Sequence, residues 1–233
     1  MGEHTGISWT DATYNPWYGC TKVSPGCAHC YMFSEQRQYG RDPELVTRSK
    51  TKFKDPLKWK EPKRIFTCSW SDFFHEAADA WRPEVWDIIR RTPQHTYQIL
   101  TKRPELVKDR LPADWGAGYP NVWLGVSVEN QRWTSRIPIL QGIPARLRFL
   151  SCEPLLGPVN FGEHNWMLDG IRWVICGGES GVDAREMNLN WAYDILSDCH
   201  SQGKAFFMKQ MSGPRPGMRG DIPGDLWIQE IPT

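Results

Sequence analysis

Three of the seven cysteines fall in one short stretch, Cys20, Cys27 and Cys30, spaced C-x6-C-x2-C. Gly19, Pro25 and Gly26 make that loop compliant enough for three thiolates to converge on one centre, and soft thiolates favour iron-sulfur clusters or zinc. A structural zinc wants four closed ligands, usually from a second Cys-x2-Cys or a His pair, which the sequence lacks, although His29 could complete a Cys3His set. A cubane held by three cysteines keeps one iron open. An odd cysteine count with clustering, in a reducing compartment, points to metal or redox chemistry before disulfides.

Other groups with chemical potential recur where apolar runs end. Runs over 64–69, 96–101, 121–127, 146–151, 171–176 and 204–209 read as buried strands. Each of the first five stops at or just before a polar or Gly-rich cluster: Ser69, Ser71 and Asp72; Thr101, Lys102 and Arg103; Ser127 and Glu129; Ser151, Cys152 and Glu153; Gly177 and Glu179. Helix-like segments lie between the strands, at 83–91, 104–110, 131–140 and 189–200, with Pro83 at a first-turn position. Such alternation predicts parallel βαβ units, hence an α/β fold in which the carboxyl ends of the strands form the working face. A lone polar cluster after a strand usually caps the next helix; five of them suggest one shared site.

At 233 residues with 40% hydrophobic content the chain can bury one substantial core, and a single domain over 1–233 is expected. No apolar run approaches the ~20 residues that span a bilayer, and the first residues lack a secretory pattern, so a cytoplasmic protein with no membrane partner is expected. The net charge of +1 gives the whole molecule no attraction for nucleic acid, but the stretch 48–64 carries eight Lys or Arg against Asp55 and Glu61. Within it Lys52, Lys54, Lys58 and Lys60 suit phosphate contact, and the interleaved Phe53 and Trp59 suit base stacking. A solvated charged loop accounts for the same residues. Most of the thirteen tryptophans sit inside strand or helix patterns and read as core.

The cysteine loop ahead of a helix, followed by repeated strand-helix units, resembles the radical S-adenosylmethionine (SAM) superfamily. Segments 15–20, 26–31, 71–75, 100–104, 125–130 and 177–181 are similar to a family of phage and prophage proteins carrying the same three-cysteine motif. The resemblance implies a partial (β/α)6-type TIM barrel with a cluster-binding loop near the N-terminus. Cys20, Cys27 and Cys30 would hold a four-iron four-sulfur cluster whose electron cleaves SAM to a 5′-deoxyadenosyl radical that abstracts hydrogen from substrate. His29 and Tyr31 would lie near the adenine, Ser69, Ser71 and Asp72 near the methionyl amino group, and Ser127 and Glu129 near the ribose. Gly177 and Glu179 complete the implied cofactor contacts. The superfamily spacing is C-x3-C-x2-C, so three residues are added here between the first two cysteines, which unsettles the register of these contacts.

On the same reading Cys152, Glu153 and Lys102 are candidate catalytic residues. Cys152 and Cys68 would donate hydrogen or ligate, against the plainer role of small buried hydrophobes. Lys102, Arg103 and Lys209 would hold an anionic group. The phage resemblance favours a hypermodified thymine side chain in phage DNA as substrate, rearranged or extended by an isomerase, mutase or lyase in the host cytoplasm, with an electron donor such as a flavodoxin. Two alternatives stay open: a radical enzyme acting on a small metabolite or peptide, and a zinc-stabilised nucleic-acid-binding module without catalysis.

Overall fold

The computed structural model describes residues 2–162 and 164–232. All six expected strands form, as β4 (Arg64–Thr67), β5 (Thr96–Thr101), β6 (Val122–Ser127), β7 (Leu147–Cys152), β8 (Ile171–Gly177) and β9 (Ala205–Gln210). A further strand, β1 (Ala12–Tyr14), joins them in a seven-stranded sheet of order β1-β4-β5-β6-β7-β8-β9. The β1–β4, β4–β5, β7–β8 and β8–β9 pairs are parallel. The chain is therefore a mixed α/β protein with a parallel sheet, and the near-continuous burial along β7 and β8 is what strands covered on both faces require. A small antiparallel pair, β2 (Trp17–Tyr18) with β3 (Thr47–Arg48), stands apart. At two or three residues, β1, β2 and β3 are too short for a periodic signal.

Among the described residues four α-helices form: α1 (Tyr31–Gln38), α2 (Arg82–Arg91), α3 (Arg136–Gln141) and α4 (Leu189–Ser201). The helix expected over 104–110 does not. Two 3-10 turns, Pro104–Leu106 and Lys108–Arg110, stand in its place, and the segment ends at Leu111, which precedes Pro112 and is held extended at φ −74°, ψ 148°. Over 131–140 the first turn is likewise 3-10, opened by Asn130, whose side chain accepts from the Arg132 amide at 3.1 Å, before α3 begins. Asn188 caps α4 in the same way, accepting from the Asn190 amide at 2.9 Å.

The chain folds as two compact units. The first comprises the segments to Val23, Cys30–Leu124 and Ile143–Arg146. Its core is aromatic: the Phe73 ring lies 5.5 Å from Trp17 and 4.8 Å from Trp86, and Trp86 lies 5.3 Å from Trp115. The second unit comprises Ser24–His29, Gly125–Gly142 and Leu147 onward. Phe149, Trp173, Phe206 and Phe207 are buried there. Gly125 is required at its place, since a Cβ would lie 2.4 Å from the Phe149 ring.

Candidate functional site

In the first unit, the polar residues after β4 and β5 turn back onto the segment that carries Cys20. Ser71 Oγ donates to the Gly19 carbonyl at 2.6 Å, the Gly19 amide donates to the Trp70 carbonyl at 3.0 Å, and the Trp17 indole donates to the Asp72 carbonyl at 3.2 Å. Asp72 is buried, accepting from Thr101 Oγ1 at 2.8 and 2.9 Å, from the Phe74 amide at 2.9 Å and from the Lys102 amide at 3.0 Å. It also faces Arg103, whose Nη1 lies 3.3 Å away. The same guanidinium reaches the loop, at 3.6 Å from Cys20 Sγ, 2.9 Å from the Thr21 carbonyl and 2.7 Å from Thr21 Oγ1. Burial works against the Arg103 charge, but Asp72 and Cys20 outweigh it and raise its pKa further. His75 Nε2 lies 3.2 Å from Thr21 Oγ1.

Ser69 hydrogen-bonds Asn15, and its carbonyl accepts from the Tyr31 hydroxyl at 2.7 Å. Thus Arg103 ties Asp72 to the Cys20 segment, Ser71 is bonded to Gly19 of that segment, and Tyr31 is bonded to Ser69. Arg103, expected to hold a substrate anion, has its donors committed to Asp72, Thr21 and Cys20 instead. Lys102 enters through its backbone amide.

In the second unit, a parallel arrangement holds the segment carrying Cys27. Ser24 Oγ donates to Glu129 Oε1 and lies 3.8 Å from Cys27 Sγ. Glu129 is wholly buried, and Arg136 Nη1 meets its other oxygen at 3.0 Å while also donating to the Ser127 carbonyl at 2.8 Å. Gly26 packs directly on Glu129, since a Cβ there would lie 2.7 Å from both Cγ and Oε1. Glu179 takes the Nε of Arg185 at 2.8 Å, its Nη2 at 2.5 Å and the Arg185 amide at 2.9 Å, and receives His29 Nδ1 at 3.1 Å. Burial would raise the Glu179 pKa, but the Arg185 contacts prevail and hold it below the ordinary carboxylate range. Arg185 Nη2 also donates to the Pro25 carbonyl at 3.0 Å.

Cys152 lies on β7 opposite Cys176 of β8 and is fully buried, its thiol pushed well up in pKa first by burial and then by Cys176. Glu153 pairs with Lys209, so the expected anion holder already has a carboxylate. The Gly177 carbonyl accepts from the Leu155 amide at 2.9 Å, a backbone role. Cys68, in the first unit, is also buried. Sequence reasoning does not find Ser24, Thr21, Arg136 and Arg185 as partners of the site. Arg136 and Arg185 follow their glutamates by seven and six residues, a separation that carries no local periodic signal.

In the basic stretch, Lys58 Nζ and Lys52 Nζ lie 2.9 and 3.5 Å from Asp55, and Lys54 Nζ lies 3.7 Å from Glu84. Lys60 is exposed. The stacking role expected of Phe53 and Trp59 fails: they are only 4% and 7% exposed, with the Arg48 guanidinium 3.8 Å over the Phe53 ring. Their apolar surface is committed to the core, while Lys52, Lys54, Lys58 and Lys60 are exposed.

Residues 4–219 match the family described as "Protein of unknown function (DUF5131)". The chain belongs to this family. No curated protein and no solved structure matches it. The match corrects the resemblance drawn from the motifs: membership of the radical SAM superfamily, or of a phage three-cysteine branch of it, is not supported. Among the described residues no group of three or more His, Cys, Asp or Glu side chains is placed to hold a metal ion. C-x6-C-x2-C spacing permits convergence of thiolates but does not impose it, and here the carboxylates and hydroxyls expected around a cosubstrate are spent on fixing the loop.

Proposed function

We propose that this protein is an enzyme whose working groups are the thiols of the loop that carries Cys20, Cys27 and Cys30. One observation supports the reading above others. The seven cysteines fall into two classes: Cys68, Cys152, Cys176 and Cys199 are buried, while Cys20, Cys27 and Cys30 are half-buried. Reactive and metal-binding cysteines sit partly exposed beside cationic groups, whereas buried thiols behave as small hydrophobes. Arg103 beside Cys20 supplies such a group. Fixing an irregular loop by the buried charges Asp72, Arg103, Glu129 and Glu179, each costly to desolvate, is an expense that a merely connecting segment does not call for.

Soft thiolates suit a four-iron four-sulfur cluster, with SAM as the cosubstrate that would chelate an open iron. The cluster rests on the cysteine spacing; SAM, the partial (β/α)6 barrel around it, an electron donor such as a flavodoxin, and a hypermodified thymine in phage DNA as substrate are implied by the motif resemblance, with the basic stretch 48–64 as the one added support for a nucleic-acid substrate. Among the described residues the side chains as placed do not form the ligand set. Anaerobic reconstitution with iron and sulfide tests it. Uptake of about four irons per chain, lost in a variant with all three cysteines changed to alanine, is expected. Stoichiometric zinc without iron would replace the enzyme by a zinc-stabilised binding module. Uptake of neither metal, with the three thiols no more reactive than the buried four, would refute the thiol site.

A further inference from the structure

Glu129 and Glu179, expected from the sequence to contact a cosubstrate, are both turned onto the Ser24–His29 segment of their own unit. Each carries a dedicated arginine. Arg136 neutralises Glu129 and stacks over Trp133 with 4.0 Å between guanidinium and ring, so the carboxylate is held from behind while Oε1 faces Ser24. Arg185 grips both oxygens of Glu179 and, through Nη2, the Pro25 carbonyl, while His29 Nδ1 closes on Glu179 from the far end of the segment. Between those two anchors the chain makes one 3-10 turn, Pro25–Cys27, closed by the Cys27 amide on the Ser24 carbonyl at 2.9 Å. Ser24 is thus bound to Glu129 by its side chain and to Cys27 by its backbone.

We propose that Glu129 and Glu179 are positioning residues, each with its arginine, that set where the Cys27 thiol stands and how readily it reacts. The proposal rests on the reading of the loop thiols as working groups and adds which residues control one of them. Gly26 belongs to the device: it lets the turn sit directly on the Glu129 carboxylate, and any side chain there would lift the turn away. The assignment also explains why a carboxylate with 0% exposure is retained: one oxygen is matched to Arg136 and the other to the loop that it holds.

The test is residue-resolved alkylation of the metal-free full chain with limiting iodoacetamide, read by peptide mass spectrometry. Ser24→Ala and Gly26→Ala should each accelerate Cys27 by about tenfold or more, the weight of one hydrogen bond to a charged group. Ser24→Thr, which keeps the hydroxyl, should restore the parent rate. Cys20, held from the first unit, should keep its own rate and serves as the internal reference. An unchanged Cys27 rate in both variants overturns the proposal. Equal acceleration at Cys152 and Cys176, which are buried in the same unit, marks general loosening and overturns it too. Alkylation needs neither metal nor cosubstrate, so failure here is distinct from failure of the iron assay.

Discussion

Removing the Arg103 side chain is the sharpest perturbation of the first unit. Arg103→Ala deletes the contacts to Asp72 at 3.3 Å, Cys20 Sγ at 3.6 Å, the Thr21 carbonyl at 2.9 Å and Thr21 Oγ1 at 2.7 Å. Arg103 and Asp72 are each 5% exposed, so water cannot replace the lost partner without opening the site. Breaking a buried pair by removing one member costs about 3–5 kcal/mol. Asp72 retains Thr101 Oγ1 and the amides of Phe74 and Lys102, which still solvate its charge, and this places the loss near the lower bound, about 3 kcal/mol. For a chain of this size that is a fall in Tm of about 6–12 °C. Arg103→Lys keeps the charge but not the fork that serves Asp72 and Thr21 together, so it should lose an intermediate amount. The assay is urea unfolding followed by tryptophan fluorescence, with iodoacetamide reactivity of Cys20 measured in the folded baseline, where it should fall because the cation beside the thiol is gone. A destabilisation below about 1 kcal/mol, the range of exposed ion pairs, with unchanged Cys20 reactivity, would refute the claim that Arg103 ties the loop to the strand ends.

Two further outcomes are expected. His95 is fully buried and donates to the Pro56 carbonyl at 3.3 Å through Nε2; burial depresses its pKa, against the raising effect of the Pro56 and Trp59 carbonyls. Between its unfolded pKa of about 6.5 and its lower folded value, the unfolded chain takes up a proton that the folded chain refuses, so stability falls as pH falls through that window. His75, also depressed chiefly by burial, acts in the same direction. His95→Gln, which keeps a donor for Pro56 and cannot titrate, should flatten the decline in urea midpoint between about pH 7 and about pH 5; an equal slope in parent and variant would contradict it. Neutralising Lys52, Lys54, Lys58 and Lys60 together should reduce the slope of log K against log salt for single-stranded DNA by roughly 3 to 4. Absence of DNA binding by the parent at low salt would move the substrate to a small molecule.

Much of this architecture is legible in the sequence. Six strands and the helices over 82–91 and 189–201 announce themselves because apolar periodicity is a local property, enforced residue by residue by burial. Pro112 is equally present in the sequence and fixes where the segment over 104–110 must end, but not that it forms 3-10 turns. The polar clusters after β4, β5, β6 and β8 stand out as clusters, since a parallel strand ends where its side chains meet polar surroundings. Their partners do not. The contact of Arg103 with Cys20, and of Glu129 with Ser24 beneath Gly26, spans 83 and 105 residues respectively. No propensity or spacing encodes a contact at that separation; it exists only once the sheet has brought strand ends to the loop. Composition likewise marks Phe53 and Trp59 as aromatic neighbours of lysine, but which side of the chain each residue faces was decided by the core that buried them. The three cysteines are the clearest case. Sequence determined that they are close along the chain and chemically soft, whereas the folded loop, tied down by buried carboxylates and arginines, decided which neighbours each thiol has, because desolvated charges hold geometry far more firmly than chain proximity does.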